Sequence, residues 1–352
     1  MNLMVMNYSM NSDNLVFSHQ VKIVKALTAH FDLVEVVTSE PYRGPVLPKV
    51  SIVDTNWQPG KAFRNIFLFY VRTLPVLFRN RKGVVFSHMT EVQSMLISPF
   101  CVLFRIRHFL WYAHANRSKY LLFNHFVTQG IITSTKGSCP IKGRKVFPIG
   151  QAVDVSEFHN NNRLPNVPPV NWYHVGRIDP SKRIELIIDS LNCFRNSYPN
   201  LQLHLYGEPS SSIHSQYFQS LKNRYCKEPF SNWVHFYGKL PNSLLAKEAV
   251  KHDGFIHAFE GSLDKSLIEA ILLKRIVVSS NHEYLRYFIG QKPNTELDSA
   301  GNLKYQLHQV YESSSEKLLE EISRKYRIAE EEHSLNNWIR KLMIILNHRC
   351  NE

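Results

Sequence analysis

The chain has 352 residues, 44% of them hydrophobic and 12% aromatic, which is enough apolar material for two cores and excludes a disordered chain. Its five cysteines, Cys101, Cys139, Cys193, Cys226 and Cys350, form no CxxC pair and no metal-ligand spacing. That excludes a disulfide framework and a zinc site and fits a reducing, cytoplasmic setting.

The opening "MNLMVMNY" carries a short apolar run without a basic flank and reads as a first strand, not a signal peptide. "HQVKIVKALTAHF" repeats apolar residues at helical spacing, and "LVEVVTS" follows as a second strand. Residues 61–82, "KAFRNIFLFYVRTLPVLFRNRK", set six bases and no acids around Phe63, Phe67, Phe69, Tyr70, Leu74 and Phe78. This composition predicts a helix lying in a lipid interface; the alternative is an ordinary core helix, and Pro75 is expected to break or kink it. Neither this stretch nor "MLISPFCVLF" approaches the roughly 20 apolar residues that span a bilayer.

"GVVFSHM" and "FLWYAHA" are each followed by an apolar helix, and "GIITST" and "KVFPIG" close the half with short strands. Alternating strands and helices predict a parallel sheet covered on both faces. The Asn- and Pro-rich segment "FHNNNRLPNVPPV", residues 158–170, reads as a linker. The pattern then restarts with the strand "NWYHVGR", the helix "RIELIIDSLNCF", "LQLHLYGE", a further helix, "WVHFYG", the helix "LLAKEAV", "GFIHAF", and a loop, helix and strand in "FEGSLDKSLIEAILLKRIVVSS". The last helix, "LNNWIRKLMIILNHR", places Trp338, Ile339, Leu342 and Ile345 or Leu346 on one side. The expected division is an N-terminal domain over 1–160, a C-terminal domain over 161–330, and a terminal helix within 331–352 packing back toward the N-terminal domain. Two such domains imply a cleft between them, with ligands at the carboxyl ends of the strands.

The net charge is +13, and between Thr55 and Val153 fourteen Lys and Arg face a single acid, Glu91. Such a field suits a phosphate-bearing partner: nucleic acid, anionic lipid or a lipid diphosphate. In "HVGRIDPSKRIELII", Gly176 ends a strand, Pro180 suits a first helical position, and Arg177 and Lys182 flank the turn. Two cations beside a helix start can close on two adjacent phosphates, the alternative being two solvated bases. Glu269, in the helix after "EGSLDK", can accept both hydroxyls of a ribose. The three residues together describe a nucleotide diphosphate site.

"HVGRIDPSKRIELIIDSL" and "GSLDKSLIEAILLKRIVVSS", in this order and about eighty-five residues apart, resemble the donor-binding segments of glycosyltransferase family 4. "VFPIGQAVDVSEF" is similar to the stretch that ends that family's first domain, and "WVHFYGKLPNSLL" to the strand and loop before its nucleobase pocket. The resemblance implies the GT-B fold, an α/β architecture of two Rossmann-like domains facing a cleft: acceptor-binding over 1–160, donor-binding over 161–330. It implies diphosphate binding at Gly176, Arg177 and Lys182, and ribose binding at Glu269. The family often carries two glutamates separated by seven residues; here Glu260 and Glu269 are separated by eight and Gly261 stands in register. A subset instead carries a GSLDK-like loop, in which the N–H groups of Ser262, Leu263, Asp264 and Lys265 would face the donor sugar and β-phosphate. Asp264 reads equally as an N-cap and Lys265 as a solvated base.

In the first domain His114 resembles the family's histidine near the transferred sugar, the alternative being a structural role. His19 and His88 are acceptor-side candidates, and the first loop, "MNSDNLVFSHQ", lacks the family's glycines. The resemblance implies a retaining glycosyltransferase that uses a nucleotide sugar donor, no other cofactor and no metal. Its acceptor would be a lipid-linked saccharide in cell-surface polysaccharide or lipopolysaccharide assembly, met by a cytoplasmic enzyme peripheral on an anionic membrane. The competing readings are a catalytically inactive GT-B binding subunit and a GT-B nucleotide-sugar epimerase. A nucleic-acid binder is disfavoured because no zinc-finger, RNP-like or helix-turn-helix signature is present.

Overall fold

The computed structural model describes residues 1–12, 17–42, 44–158, 163–240, 242–290 and 297–347. Residues 13–16 of the glycine-free loop and 159–162 of the linker lie outside the described residues, as do Pro241 and Cys350. The chain divides into two compact units, Met1–Ala152 with Leu335–Glu352, and Val153–Ser334.

The first unit is built on a parallel seven-stranded sheet, β1 (Leu3–Asn7), β2 (Val34–Thr38), β3 (Val50–Asp54), β4 (Val84–His88), β5 (Arg107–Trp111), β6 (Gly130–Thr133) and β7 (Val146–Pro148). Its order is β3-β2-β1-β4-β5-β6-β7. The crossovers are α1 (Ser18–Leu27), α2 (Ala62–Arg79), α3 (Glu91–Leu103) and α4 (Lys119–Val127). Successive strand residues point to opposite faces, and β1, "LMVMN", is apolar on both. Leu3 and Val5 pack in the core that includes α1, whereas Met4 and Met6 pack with Phe69 of α2 and Ile97 of α3.

Strand β3 was not expected from the sequence. It is a half-buried edge strand, so its residues lack the strong apolar run of its neighbours. Pro75 does not end α2, which continues to Arg79. Its ring stands on the exposed face, so the lost N–H bond falls where water can reach the freed carbonyl.

The second unit holds a parallel five-stranded sheet, β8 (Asn171–Val175), β9 (Gln202–Tyr206), β10 (Val234–Gly238), β11 (Gly254–His257) and β12 (Ile276–Ser279), in the order β10-β9-β8-β11-β12. Its helices are α5 (Ile184–Asn192), α6 (Ser212–Tyr225), α7 (Asn242–Ala249), α8 (Lys265–Leu272), the short α9 (His282–Tyr284) continued by a π turn, α10 (Ser299–Glu312) and α11 (Ser315–His333). Trp172, Leu203, Leu205 and Ile256 face α5 and α10, while Tyr173, Phe255 and Val277 face α8. The buried Asp253 carboxylate accepts the N–H groups of Asn166, Val170 and Asn171 at 2.9 to 3.1 Å, which fixes the Pro-rich entry to β8.

The last helix, α12 (Leu335–Asn347), belongs to the first unit. Its Trp338, Ile339, Leu342 and Leu346 are buried in the core that contains α1 and the β1 face.

Candidate functional site

In each sheet the strand order reverses beside the first strand of the unit, at β1/β4 and at β8/β11. Open α/β sheets bind ligands at the carboxyl ends of the strands flanking such a switch point. At β8/β11 the chain brings together the two segments that the sequence singles out.

Strand β8 runs into Gly176, whose N–H donates to Tyr206 O at 3.0 Å. The neighbouring strand end comes so close that a Cβ on Gly207 would lie 1.8 Å from Gly176 O, which only glycine allows. Asp179 then caps a single 3₁₀ turn, Pro180–Lys182, by accepting Ser181 N–H at 3.0 Å, with Pro180 at its first position. Arg183 follows in the left-handed region at φ 51°. That backbone turn sends Lys182 inward, while the Arg183 Nη1 donates to Glu260 Oε1 at 2.6 Å and to Ser299 Oγ at 2.7 Å. Glu260 is therefore held in an ion pair on the loop before α8.

The Lys182 side chain is buried at 7% exposure, and its ammonium donates to Asp264 Oδ2 and stands 4.1 Å from the Phe259 ring centroid. Asp264 occupies the N-cap position of α8 but its carboxylate makes no bond to that helix. It accepts instead from Lys182 and from His257 Nε2 at 3.2 Å. Because a carboxylate only accepts, Nε2 carries the proton and His257 Nδ1 accepts from Ser279 Oγ–H at 3.0 Å. Burial would raise the Asp264 carboxyl, but the Lys182 ammonium and His257 outweigh it and hold the group well below the usual carboxylate range. Burial lowers the His257 ring below its ordinary value against the pull of Asp264.

The loop itself is clamped from beneath. Asn281 Nδ2 donates to the carbonyls of Phe259, Gly261 and Ser262 at 2.9 to 3.3 Å, while its Oδ1 accepts from Glu283 and Tyr284 N–H. A Cβ on Gly261 would lie 2.1 Å from Phe259, so glycine is what lets the ring fold back under Lys182. Leu263 is buried, and Ser262 and Lys265 are half-exposed at the start of α8. One turn on, Glu269 is half-buried near Tyr173; burial raises the Tyr173 hydroxyl above its ordinary value and the Glu269 charge adds to that.

Two further groups complete this surface. Arg177 is 59% exposed, its Nε 3.9 Å from Asp179 Oδ2, so its guanidinium can turn to an incoming anion. His174 is fully buried, burial lowering it to about 3, and the neutral ring donates from Nδ1 to Ile256 O at 2.9 Å. Its Nε2 lone pair has no partner among the described residues, and a Cβ at Gly176 would stand 3.3 Å from it.

The first-unit candidates lie at two places. His19, in the first turn of α1, and His88, at the end of β4, stand edge to face with centroids 5.7 Å apart, beside the β1/β4 switch point. His88 is buried, bonded through Nδ1 to Gln20 Nε2 at 3.1 Å and stacked on Trp111. His114 is exposed three residues past β5, edge-on to Tyr112 at 5.4 Å. Among the described residues no three His, Cys, Asp or Glu side chains are grouped as metal ligands.

No protein-family model matches the sequence, and no curated protein matches it. Solved structures do match over nearly the whole chain. Anabaena HepE in complex with UDP and glucose superposes with a TM-score of 0.74 at 13% identity, covering 99% of this chain and 100% of that one. A Rickettsia africae glycosyltransferase gives 0.70 at 14% identity, covering 98% and 97%. A Thermosynechococcus elongatus sucrose-phosphate synthase gives 0.74 at 12% identity, covering 98% of each. The fold is GT-B.

Within this GT-B chain, Gly176, Lys182, Gly261, Asp264 and the start of α8 meet at one switch point. Sequence reading missed His257, Phe259, Asn281 and Arg183. His257 sits in "GFIHAF", where a histidine inside a buried strand was the available signal, and Asn281 follows β12 as a cap residue for α9.

Proposed function

We propose that this protein is a retaining glycosyltransferase of family 4 type that moves a sugar from a nucleotide diphosphate sugar to an acceptor hydroxyl. The single observation behind this reading is the Lys182–Asp264 pair, which joins the Gly176 turn to the GSLDK loop and places a buried ammonium beside the N-terminus of α8. Diphosphate is the ligand chemistry such a juxtaposition suits: a buried cation stands at a helix start, and the exposed Arg177 guanidinium lies on the same turn as that cation. Structures of HepE with UDP, with UDP and glucose, and with UDP-glucose agree in donor class.

In the reaction Arg177 and Lys182 neutralise charge that builds on the leaving diphosphate, and Glu269 holds the ribose hydroxyls. The leaving phosphate takes the acceptor proton, so the mechanism needs no side-chain base. Residues 1–160 carry the acceptor and 161–330 the donor, with His114 near the transferred sugar and His19 and His88 on the acceptor side.

UDP-, GDP- and ADP-glucose tested by thermal shift settle the donor class, because a ligand that binds the folded state raises its melting temperature. At least one is expected to stabilise the wild type, and Glu269→Gln should weaken it by about 1.5 to 3 kcal/mol, the range for hydrogen bonds to a charged group. Equal affinity in the variant would leave Glu269 a surface charge. Turnover of the donor sugar into an epimer without acceptor would make the protein an epimerase.

The proposed acceptor is a lipid-linked saccharide, met at the inner face of the cytoplasmic membrane. No helix among the described residues is long and apolar enough to cross a membrane. On α2, however, Phe63, Phe67 and Val71 are 94%, 67% and 54% exposed along one stripe, and Phe78 meets Phe104 at the end of α3. Arg72 and Arg79 are engaged by Asp54 and Glu35, but Lys61, Arg81 and Lys82 are exposed around the stripe. Aromatic side chains entering the acyl boundary, with about 1 kcal/mol from each base near anionic lipid, give reversible binding. Co-sedimentation with vesicles should require anionic lipid, weaken at high salt and fall in the Lys61→Glu, Arg81→Glu, Lys82→Glu triple variant. Equal partitioning onto neutral and anionic vesicles would overturn the membrane assignment.

A further inference from the structure

We propose that His257 is a positioning residue for the donor site: through the Asp264 carboxylate it fixes the direction of the Lys182 ammonium beside the Gly176 turn. The inference rests on the donor-site reading above and adds to it a residue that does not itself face the ligand.

A lysine ammonium ends a flexible four-carbon stem, and ordering that stem has an entropic cost. The Phe259 ring offers Lys182 a face but no direction, since attraction to a ring quadrupole is broad. Direction comes from Asp264, which lies at an N-cap position with extended backbone, where a carboxylate ordinarily turns back to accept helix N–H groups. Here it turns sideways. What holds it sideways is the His257 Nε2–H at 3.2 Å, from a ring with 0% side-chain exposure.

That ring is fixed in turn by Ser279 Oγ at 3.0 Å, and Ser279 Oγ accepts Asn281 N–H at 3.0 Å. The chain of bonds thus runs from β12 through β11 and the loop to the 3₁₀ turn, one group from each element. Without the Nε2–H, Asp264 is free to rotate onto the α8 N–H groups and draw Lys182 out of line.

His257→Asn and His257→Gln separate this role from a structural one, because both are polar and of similar bulk. The Gln amide reaches where Nε2 stands and can donate to Asp264; the Asn amide reaches only the Nδ1 position and the Ser279 hydroxyl. Calorimetry on the full chain uses whichever of UDP-, GDP- or ADP-glucose stabilises the wild type. His257→Asn should weaken binding and lower turnover by about ten- to a hundredfold, the scale of a misplaced catalytic geometry, while His257→Gln stays near wild type. In an Asp264→Asn background, His257→Asn should add nothing further, the signature of action through Asp264. Equal affinities for Asn, Gln and wild type, or a His257→Asn effect that persists undiminished without the Asp264 carboxylate, would overturn the assignment. Failure of all three donors to bind the wild type would remove the donor-site reading, and the role of His257 with it.

Discussion

Under the proposed function, replacing Lys182 with Ala should lower sugar-transfer turnover by a factor of about 10² to 10³ with the fold intact, the scale measured when one preorganised group that stabilises transition-state charge is removed. The magnitude follows from its burial. At 7% side-chain exposure, with Phe259 against one side, the ammonium acts through little water, so its field at the leaving diphosphate is screened less than that of the 59% exposed Arg177. Arg177→Ala should therefore cost less than Lys182→Ala. Removing Lys182 also leaves the Asp264 carboxylate without its main counter-charge, beside the place where the proposed diphosphate would add two more negative groups. Steady-state rates with the stabilising donor, together with circular dichroism to confirm folding, check the result. Wild-type turnover in Lys182→Ala would show that the diphosphate lies elsewhere.

Trp338→Ala should produce the largest loss of stability, about 3 to 5 kcal/mol. The ring has no exposed surface and contacts Trp111, Phe86 and His88 with centroids 5.3 to 6.3 Å away, so truncation leaves a hole between α12 and the sheet that its rigid aromatic neighbours cannot fill. For a unit of this size the melting temperature should drop by about 10 °C, and Trp338→Phe should recover more than half of the loss. Scanning calorimetry of the three proteins decides it. A melting temperature within error of wild type would mean that α12 is dispensable to the first unit.

The strands that were legible in the sequence are those buried on both faces, such as β1, β4 and β11, because burial on both faces leaves an uninterrupted apolar run. Strand β3 escaped because an edge position lets Ser51 and Asp54 stand among its apolar residues. Helix α11, "SEKLLEEISRKYRIAEEEH", also went unread, since its charged residues hide a narrow buried stripe of Leu318, Ile322, Lys325 and Ala329. At the site, Gly176, Lys182 and the GSLDK loop could be picked out from their turn chemistry and assigned to one donor site. The Lys182–Asp264 contact could not, because the two residues are 82 positions apart and only the β8/β11 switch brings them together. For the same reason the partner of Glu260 was illegible: Arg183 reaches it only because a left-handed backbone turn aims it there.

The first unit takes its closing helix from the far side of the second, since Leu335–Glu352 joins Met1–Ala152 across the whole of Val153–Ser334. During synthesis the ribosome therefore releases every strand of the larger sheet well before the helix that covers its Leu3, Val5 and Phe86 face. The smaller sheet, with all its helices contiguous in the chain, is free to fold first, so the segment made earliest is the last to be sealed. Nascent chains stalled before Leu335 should accordingly show the second unit protease-resistant and the first still open to cleavage and to chaperones, an order of maturation opposite to the order of translation.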